Sequence, residues 1–345
     1  MGGLSMHPTS NAFRYFKGLV LAATLLALCV VSLGAYVRLT DAGLGCPDWP
    51  GCYGTLTVPQ SEAAILQAQT TYPDSAVEVG KAWREMAHRY LAGTLGLLVL
   101  AIFVLGWKAR NEIKSSPYTS SFLLLLIGFQ AMLGMWTVTM LLKPAIVSGH
   151  LLGGMSTLAV LSWLAHRHWG YYSDSIVTCQ RLRLAIRFAL VLLFMQIFLG
   201  GWTSTNYAAM ACTDYPLCQG QWMPADLDWS HAFVFNRELG QTSDGQMLSL
   251  QTLTAIHWTH RTFALVVLAA CVAMALHLRK KVDTATMGNW LLAAILFQVV
   301  VGISNVWLQW PLGLAVLHNT GAAVLLAISV FISVRLGRSR PDEYA

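Results

Sequence analysis

The sequence predicts an all-α polytopic membrane protein with eight transmembrane helices. They form two tandemly repeated four-helix bundles, with both termini cytoplasmic. Three observations lead there. The 345-residue chain is 56% hydrophobic and only 11% charged, against about 25% charged in a soluble domain. Its charge-free stretches have the lengths that cross a bilayer. Its chemically distinctive residues recur at a nearly constant spacing of about half the chain.

Stretches free of Asp, Glu, Lys and Arg cover 18–37, 90–107, 115–142, 144–166, 188–213, 262–278 and 284–334. The last is too long for one span of about 20 residues. Trp310-Pro311-Leu312-Gly313 divides it, because Pro and Gly favour a turn. That makes eight spans.

Charge distribution orients them. Segments 1–17, 108–114, 167–187, 279–283 and 335–345 hold 15 Lys/Arg and 5 Asp/Glu, whereas the loops facing the other way hold 4 and 10. The two sets alternate at every span, so the long loops 39–84 and 204–255 lie outside. A net charge of +6 distributed this way marks membrane topology and not nucleic-acid binding. The first span, with Arg14 and Lys17 before it, reads as an uncleaved helix, because it is long for a signal peptide. Segments Ser61 to Gln69 and Asp226 to Phe235 read as short interfacial helices.

The repeat is specific. Gly34, Cys46 and Cys52 map onto Gly200, Cys212 and Cys218 with an offset of 166. His88-Arg89 maps onto His260-Arg261 with 172, and Gln130, Gly134 and His150 onto Gln298, Gly302 and His318 with 168. Residues 1–175 and 176–345 therefore form two bundles of like topology, related by an axis along the membrane normal. The four glycines sit in odd-numbered spans, where small residues let helices approach. Gln130, Gln196 and Gln298 each lie four residues before one of them and read as interhelical hydrogen-bonding groups.

Four histidines fall at one depth. His88 and His260 begin the even-numbered spans 2 and 6. His150 and His318 lie six and seven residues beyond Pro144 and Pro311, roughly 9–10 Å into spans 4 and 8. All four belong to the outer leaflet. Within each bundle the pair comes from diagonal helices that face each other across the core. Two inward imidazoles at one level suit bis-histidine heme ligation. A lone histidine in an apolar helix is more often a satisfied structural residue, but a pair that recurs argues for a ligand. Zinc fits less well, because no nearby Cys or carboxylate completes a four-ligand set in the second half. His7, His166, His168, His231 and His277 read as structural or solvated.

Glu85 stands three residues before His88, on the same helix face; its counterpart three residues before His260 is His257. Ionisable groups near a span are costly and usually functional, although a membrane-edge role accounts for Glu85 equally simply. Arg89 and Arg261 face either the bilayer surface or heme propionates. The outer pairs Cys46/Cys52 and Cys212/Cys218 face an oxidising compartment, where each suits a structural disulfide or a redox role near the heme. Cys29, Cys179 and Cys271 read as inert thiols.

Together, Glu85-x-x-His88-Arg89, His150, His260-Arg261, His318, the two Cys pairs and the duplicated four-helix plan resemble the heme A synthase family over essentially the whole chain. The resemblance implies oxidation of the ring-D methyl of heme O to the formyl group of heme A, for a terminal cytochrome oxidase. It implies a resident heme b held by His260 and His318, and heme O or heme A held by His88 and His150. It further implies a bacterial-type inner membrane, with heme O synthase and an electron donor or acceptor as partners. Glu85 fits a proton acceptor or charge stabiliser beside the reacting methyl.

Three other classes compete. A bis-heme electron carrier spanning the bilayer needs hemes near both leaflets. A disulfide-generating quinone reductase needs one bundle and no histidine pairs. A non-catalytic heme-binding assembly protein does not need Glu85.

Overall fold

The computed structural model describes residues 10–113, 115–169 and 180–336. His7, Cys179 and the expected boundary between the bundles at 175/176 lie outside these residues. Eight long helices are apolar enough to cross a membrane: α1 (Asn11–Leu39), α3 (Val79–Lys108), α4 (Tyr118–Thr139), α5 (Pro144–Trp169), α6 (Gln180–Thr205), α8 (Leu250–Arg279), α9 (Val282–Trp307) and α10 (Leu312–Leu336). The protein is a multi-pass, all-helical membrane protein. Two short helices, α2 (Glu62–Thr71) and α7 (Trp229–Ala232), lie in the long loops where amphipathic segments were expected.

Local chemistry sets the ends. Ser10, Ser61 and Ser249 cap α1, α2 and α8 by accepting the N–H of Phe13, Ala64 and Thr252, which satisfies donors the helix leaves unpaired. Pro144 opens α5, where its missing N–H costs nothing. The division of the last apolar stretch differs in detail from the expectation. Gln309 and Trp310 take the left-handed turn conformation, and Gly313 is already helical. Leu141 and Leu142, 168 residues earlier, make the same left-handed pair. In both turns the second residue donates its N–H back across the helix end, Leu142 to Thr137 at 2.9 Å and Trp310 to Asn305 at 2.7 Å. The helix in the charge-free run 188–213 stops at Thr205, in keeping with an outer loop expected from 204.

In the first bundle α1 packs on α3 and α5, and α4 packs on the same two. In the second, α6 and α9 each pack on α8 and α10. Thus α3 faces α5, and α8 faces α10, across their bundles. The bundles meet through α1 on α10, α5 on α6, and α5 on α10. Buried apolar side chains, among them Phe16, Ile102, Leu123, Leu161, Ile186, Leu278 and Leu326, fill the half of each bundle away from the long loops. The other half is hollow, and it contains the histidines.

Candidate functional site

His88 on α3 and His150 on α5 face each other with ring centroids 6.4 Å apart and planes at 80°. Two metal–nitrogen bonds of about 2 Å, plus roughly 1 Å from each nitrogen to its ring centre, sum to about 6 Å. One metal ion therefore fits between these rings. Each of the four imidazoles lies against a glycine of a neighbouring helix. A methyl built on Gly34, Gly134, Gly200 or Gly302 would stand 3.0, 3.3, 3.0 or 3.1 Å from Cε1 of His88, His150, His260 or His318. Glycine lets each ring seat without being pushed aside.

The glutamines set the backbone beside the ring. Gln130 donates to the carbonyl of His150 at 2.9 Å, Gln298 to that of His318 at 3.0 Å, and Gln196 to that of His260 at 3.2 Å. This is the interhelical bonding expected of them. Three of the four imidazoles are not satisfied: Nδ1 of His88, His150 and His318 is buried without a partner, whereas Nδ1 of His260 lies 3.1 Å from Gln196 Nε2. A structural core histidine would have found one. Among the described residues no cluster of three or more His, Cys, Asp or Glu could hold a metal ion. The pairs therefore suit a metal that brings its own equatorial ligands, as heme does. All four histidines line one cavity of about 1450 Å³, larger than the 300–1,000 Å³ of a single small-molecule site.

A covered loop closes each site. Cys46–Cys52 and Cys212–Cys218 are disulfides, and all four sulfur-bearing residues are buried. Between the cysteines, Asp48 accepts the N–H groups of Tyr53 and Gly54, and Asp214 those of Gln219 and Gly220. Burial works against the Asp214 carboxylate, yet these N–H donors hold its pKa below the usual carboxylate value. The sequence placed both aspartates inside the Cys motifs without giving them a role; the shared offset of 166 was the available signal.

The arginines clamp these loops. Arg89 Nη1 donates to the carbonyls of Asp48, at 2.8 Å, and Gly51. Arg261 Nη2 donates to those of Asp214 and Leu217, at 2.8 and 2.9 Å. Arg261 Nη1 is buried without a partner. Neither the bilayer surface nor a propionate had suggested this contact.

Glu85 is 5% exposed and lines the cavity. Its Oε2 accepts the N–H of Cys46 at 2.9 Å, and its Oε1 pairs with Arg89 at 2.5 Å. In the second bundle Nδ1 of His257 accepts the N–H of Cys212 at 3.3 Å. The two residues thus hold equivalent places, but only the first bundle has a carboxylate there. The remaining histidines are structural in kind: His166 packs on Phe331, His168 contacts Ser115, and His231 pairs with Asp228.

Two four-helix bundles, each with a histidine pair on facing helices beside a disulfide-closed loop, define a class of multi-pass helical membrane protein with paired histidines facing a large interior cavity. The comparisons with known proteins agree. The family model described as cytochrome oxidase assembly protein (COX15-CtaA) matches residues 17–330. The heme A synthase of Shewanella oneidensis is 44% identical over 309 residues, covering 89% of this chain and 92% of that protein. The heme A synthase of Caulobacter vibrioides is 30% identical over 342 residues, covering 92% and 94%. The chain belongs to the COX15-CtaA family.

Proposed function

We propose that the chain oxidises the ring-D methyl of heme O, in successive two-electron steps, to the formyl group of heme A used by cytochrome oxidase. His88 and His150 hold heme O in the first bundle, and His260 and His318 hold a resident heme b in the second. When bound, that heme b supplies electron transfer. Both sites lie in the outer leaflet of a bacterial inner membrane. The Lys/Arg distribution supports this placement, as do disulfides that persist in an oxidising compartment.

The observation that carries the reading is the inequality of Glu85 and His257. Both accept the N–H of the first loop cysteine, yet only Glu85 offers an anionic oxygen at the cavity wall. A carboxylate there takes up the proton released as the methyl is oxidised, or stabilises developing positive charge. A site that only transfers electrons needs neither. Arg89 couples Glu85 to the first loop, while Arg261 keeps Nη1 for a propionate.

The test is extraction and mass analysis of the hemes from protein purified out of cells that make heme O. Heme O or heme A beside heme b is the expected result. Heme b alone, at two per chain, contradicts the reading.

A further inference from the structure

The two bundles differ in a second place, on the wall where α3 meets α4 and α8 meets α9. Gly93, Gly96 and Gly128 lie in these helices with nothing within 4 Å of where a side chain would begin. Helical glycines in membrane proteins normally let a neighbouring helix approach, as Gly34 does for His88. These three approach nothing, so close packing does not explain them. At the repeat offsets of 172 and 168, Gly93 and Gly96 become Leu265 and Leu268, and Gly128 and Ala131 become Leu296 and Val299. Four small residues in one bundle are thus four large apolar ones in the other.

The packing follows the sequence. Helices α8 and α9 pair much more extensively than α3 and α4 do. Gly93, Gly128 and Ala131 are exposed and line the histidine cavity, and the open space at the two glycines leaves a side-chain gap in its wall between α3 and α4. Gly93 and Gly96 lie five and eight residues past His88, about 7–12 Å further along the helix. Gly128 lies six residues before Gly134, the seat of His150, at a similar depth of about 9 Å. The opening therefore lies on the bilayer side of the histidine pair, away from the disulfide loop. Gln130, next to Ala131 and 8% exposed, lines the same cavity with its Oε1 unpartnered. Gln298 leaves the same atom unpartnered in the second bundle, and in each case Oε1 sits against a glycine of the next helix, Gly153 or Gly321, so this feature does not distinguish the bundles. The small-residue wall belongs to the first bundle alone.

We infer that the gap between α3 and α4, floored by Gly93, Gly96, Gly128 and Ala131, receives the prenyl tail of heme O. It thereby makes the first bundle selective for a prenylated heme. The inference rests on the assignment of heme O to His88 and His150. Heme O differs from heme b by a long apolar hydroxyethylfarnesyl chain. That chain needs an apolar exit from the plane of the ring, and an exit toward lipid leaves it in hydrocarbon. Leu265, Leu268, Leu296 and Val299 put bulky apolar side chains on the equivalent wall of the second bundle, where α8 and α9 pair more extensively, which suits a heme without a tail.

The experiment titrates heme O, and separately tail-less heme b, into the full-length detergent-solubilised protein that already holds its resident heme. The signal counted is the part of the spectral change that disappears in His150→Ala. Gly93→Leu/Gly128→Leu installs the residues of the second bundle, and Ala131→Val is a milder change on the same wall. Extra methylenes in an apolar pocket change discrimination by about 10–200-fold. The double variant is expected to weaken heme O binding by about that factor, leaving heme b binding within about twofold, and Ala131→Val to shift the ratio the same way. An unchanged resident-heme spectrum verifies the fold. Equal loss of both hemes, or no loss of heme O in either variant, overturns the inference. Absence of any His150-dependent signal in the unaltered protein overturns the site assignment itself, and the inference with it.

Discussion

The imidazole of His88 lies against the backbone of Gly34, so closely that a methyl there would stand 3.0 Å from its Cε1. The same relation holds between Gly200 and His260 at the same distance. A methyl at either position requires the imidazole to give way by a few tenths of an ångström. Overpacking of this kind costs about 1–3 kcal/mol. Gly200→Ala is therefore expected to weaken axial ligation in the second bundle, and Gly34→Ala to leave the resident heme unaltered. Low-temperature EPR of the low-spin signal checks both. An unchanged signal in Gly200→Ala removes the glycine from the site.

On the proposed assignment of a resident heme b to His260 and His318, replacing either with Ala strips one axial bond from it. Its low-spin spectrum should be lost or become high-spin in each variant. Low-spin heme that survives both substitutions at wild-type content shows that other residues are the ligands.

The disulfides are buried beneath their own loops, which favours the structural reading over electron transfer. A cross-link of this loop length stabilises by about 2–3 kcal/mol. Cys212→Ala and Cys218→Ala should each lower the midpoint of thermal unfolding, with turnover per heme-replete molecule nearly unchanged. Turnover lost in a fully folded, heme-replete variant assigns that pair a redox role instead.

Arg89 holds the loop carbonyls with Nη1 and Glu85 with Nη2 at once, because its guanidinium presents a fork of donors, which a lysine ammonium does not. Arg89→Lys keeps the charge beside Glu85 but gives up part of that clamp. The first loop should open more often, so that a soluble reductant cleaves Cys46–Cys52 faster than in the parent protein. An unchanged reduction rate places the closure of the loop elsewhere.

Much of this was legible in the sequence because it is periodic. Eight apolar stretches gave eight helices, and His88, His150, His260 and His318 announced themselves by recurring at offsets of 172 and 168. Contacts between a side chain and a backbone carbonyl left no such trace. Arg89 and Arg261 were visible as a repeated pair, but their acceptors are peptide oxygens, which any residue supplies. The glycine seats were visible as small residues in the odd-numbered spans. That each faces an imidazole depends on the relative depth of two helices, which residue spacing along one chain does not contain. The turn before α10 was expected over Trp310-Pro311-Leu312-Gly313, and it begins slightly earlier, with Gln309 and Trp310 in the left-handed conformation and the helix resuming at Leu312.

Glu85 is one helical turn from His88 and bonded to both Arg89 and the first loop. Removing a catalytic proton acceptor typically costs about 10²–10⁴-fold in rate. Glu85→Gln should bind heme O almost normally and convert it very slowly, with the resident heme unchanged. The check is the yield of heme A and of its hydroxymethyl precursor per mole of protein, with heme occupancy measured on the same sample. A wild-type yield of heme A returns Glu85 to a purely structural role.

The central claim is that the two bundles hold different hemes, and the most direct measurement is the partition of hemes between two ligand variants. His150→Ala and His318→Ala are purified from cells that make heme O, and their hemes are extracted and identified by mass. The account predicts that His150→Ala keeps heme b and loses heme O and heme A, while His318→Ala loses heme b. Heme O or heme A retained in His150→Ala at the parent level, or heme b retained in His318→Ala, contradicts it.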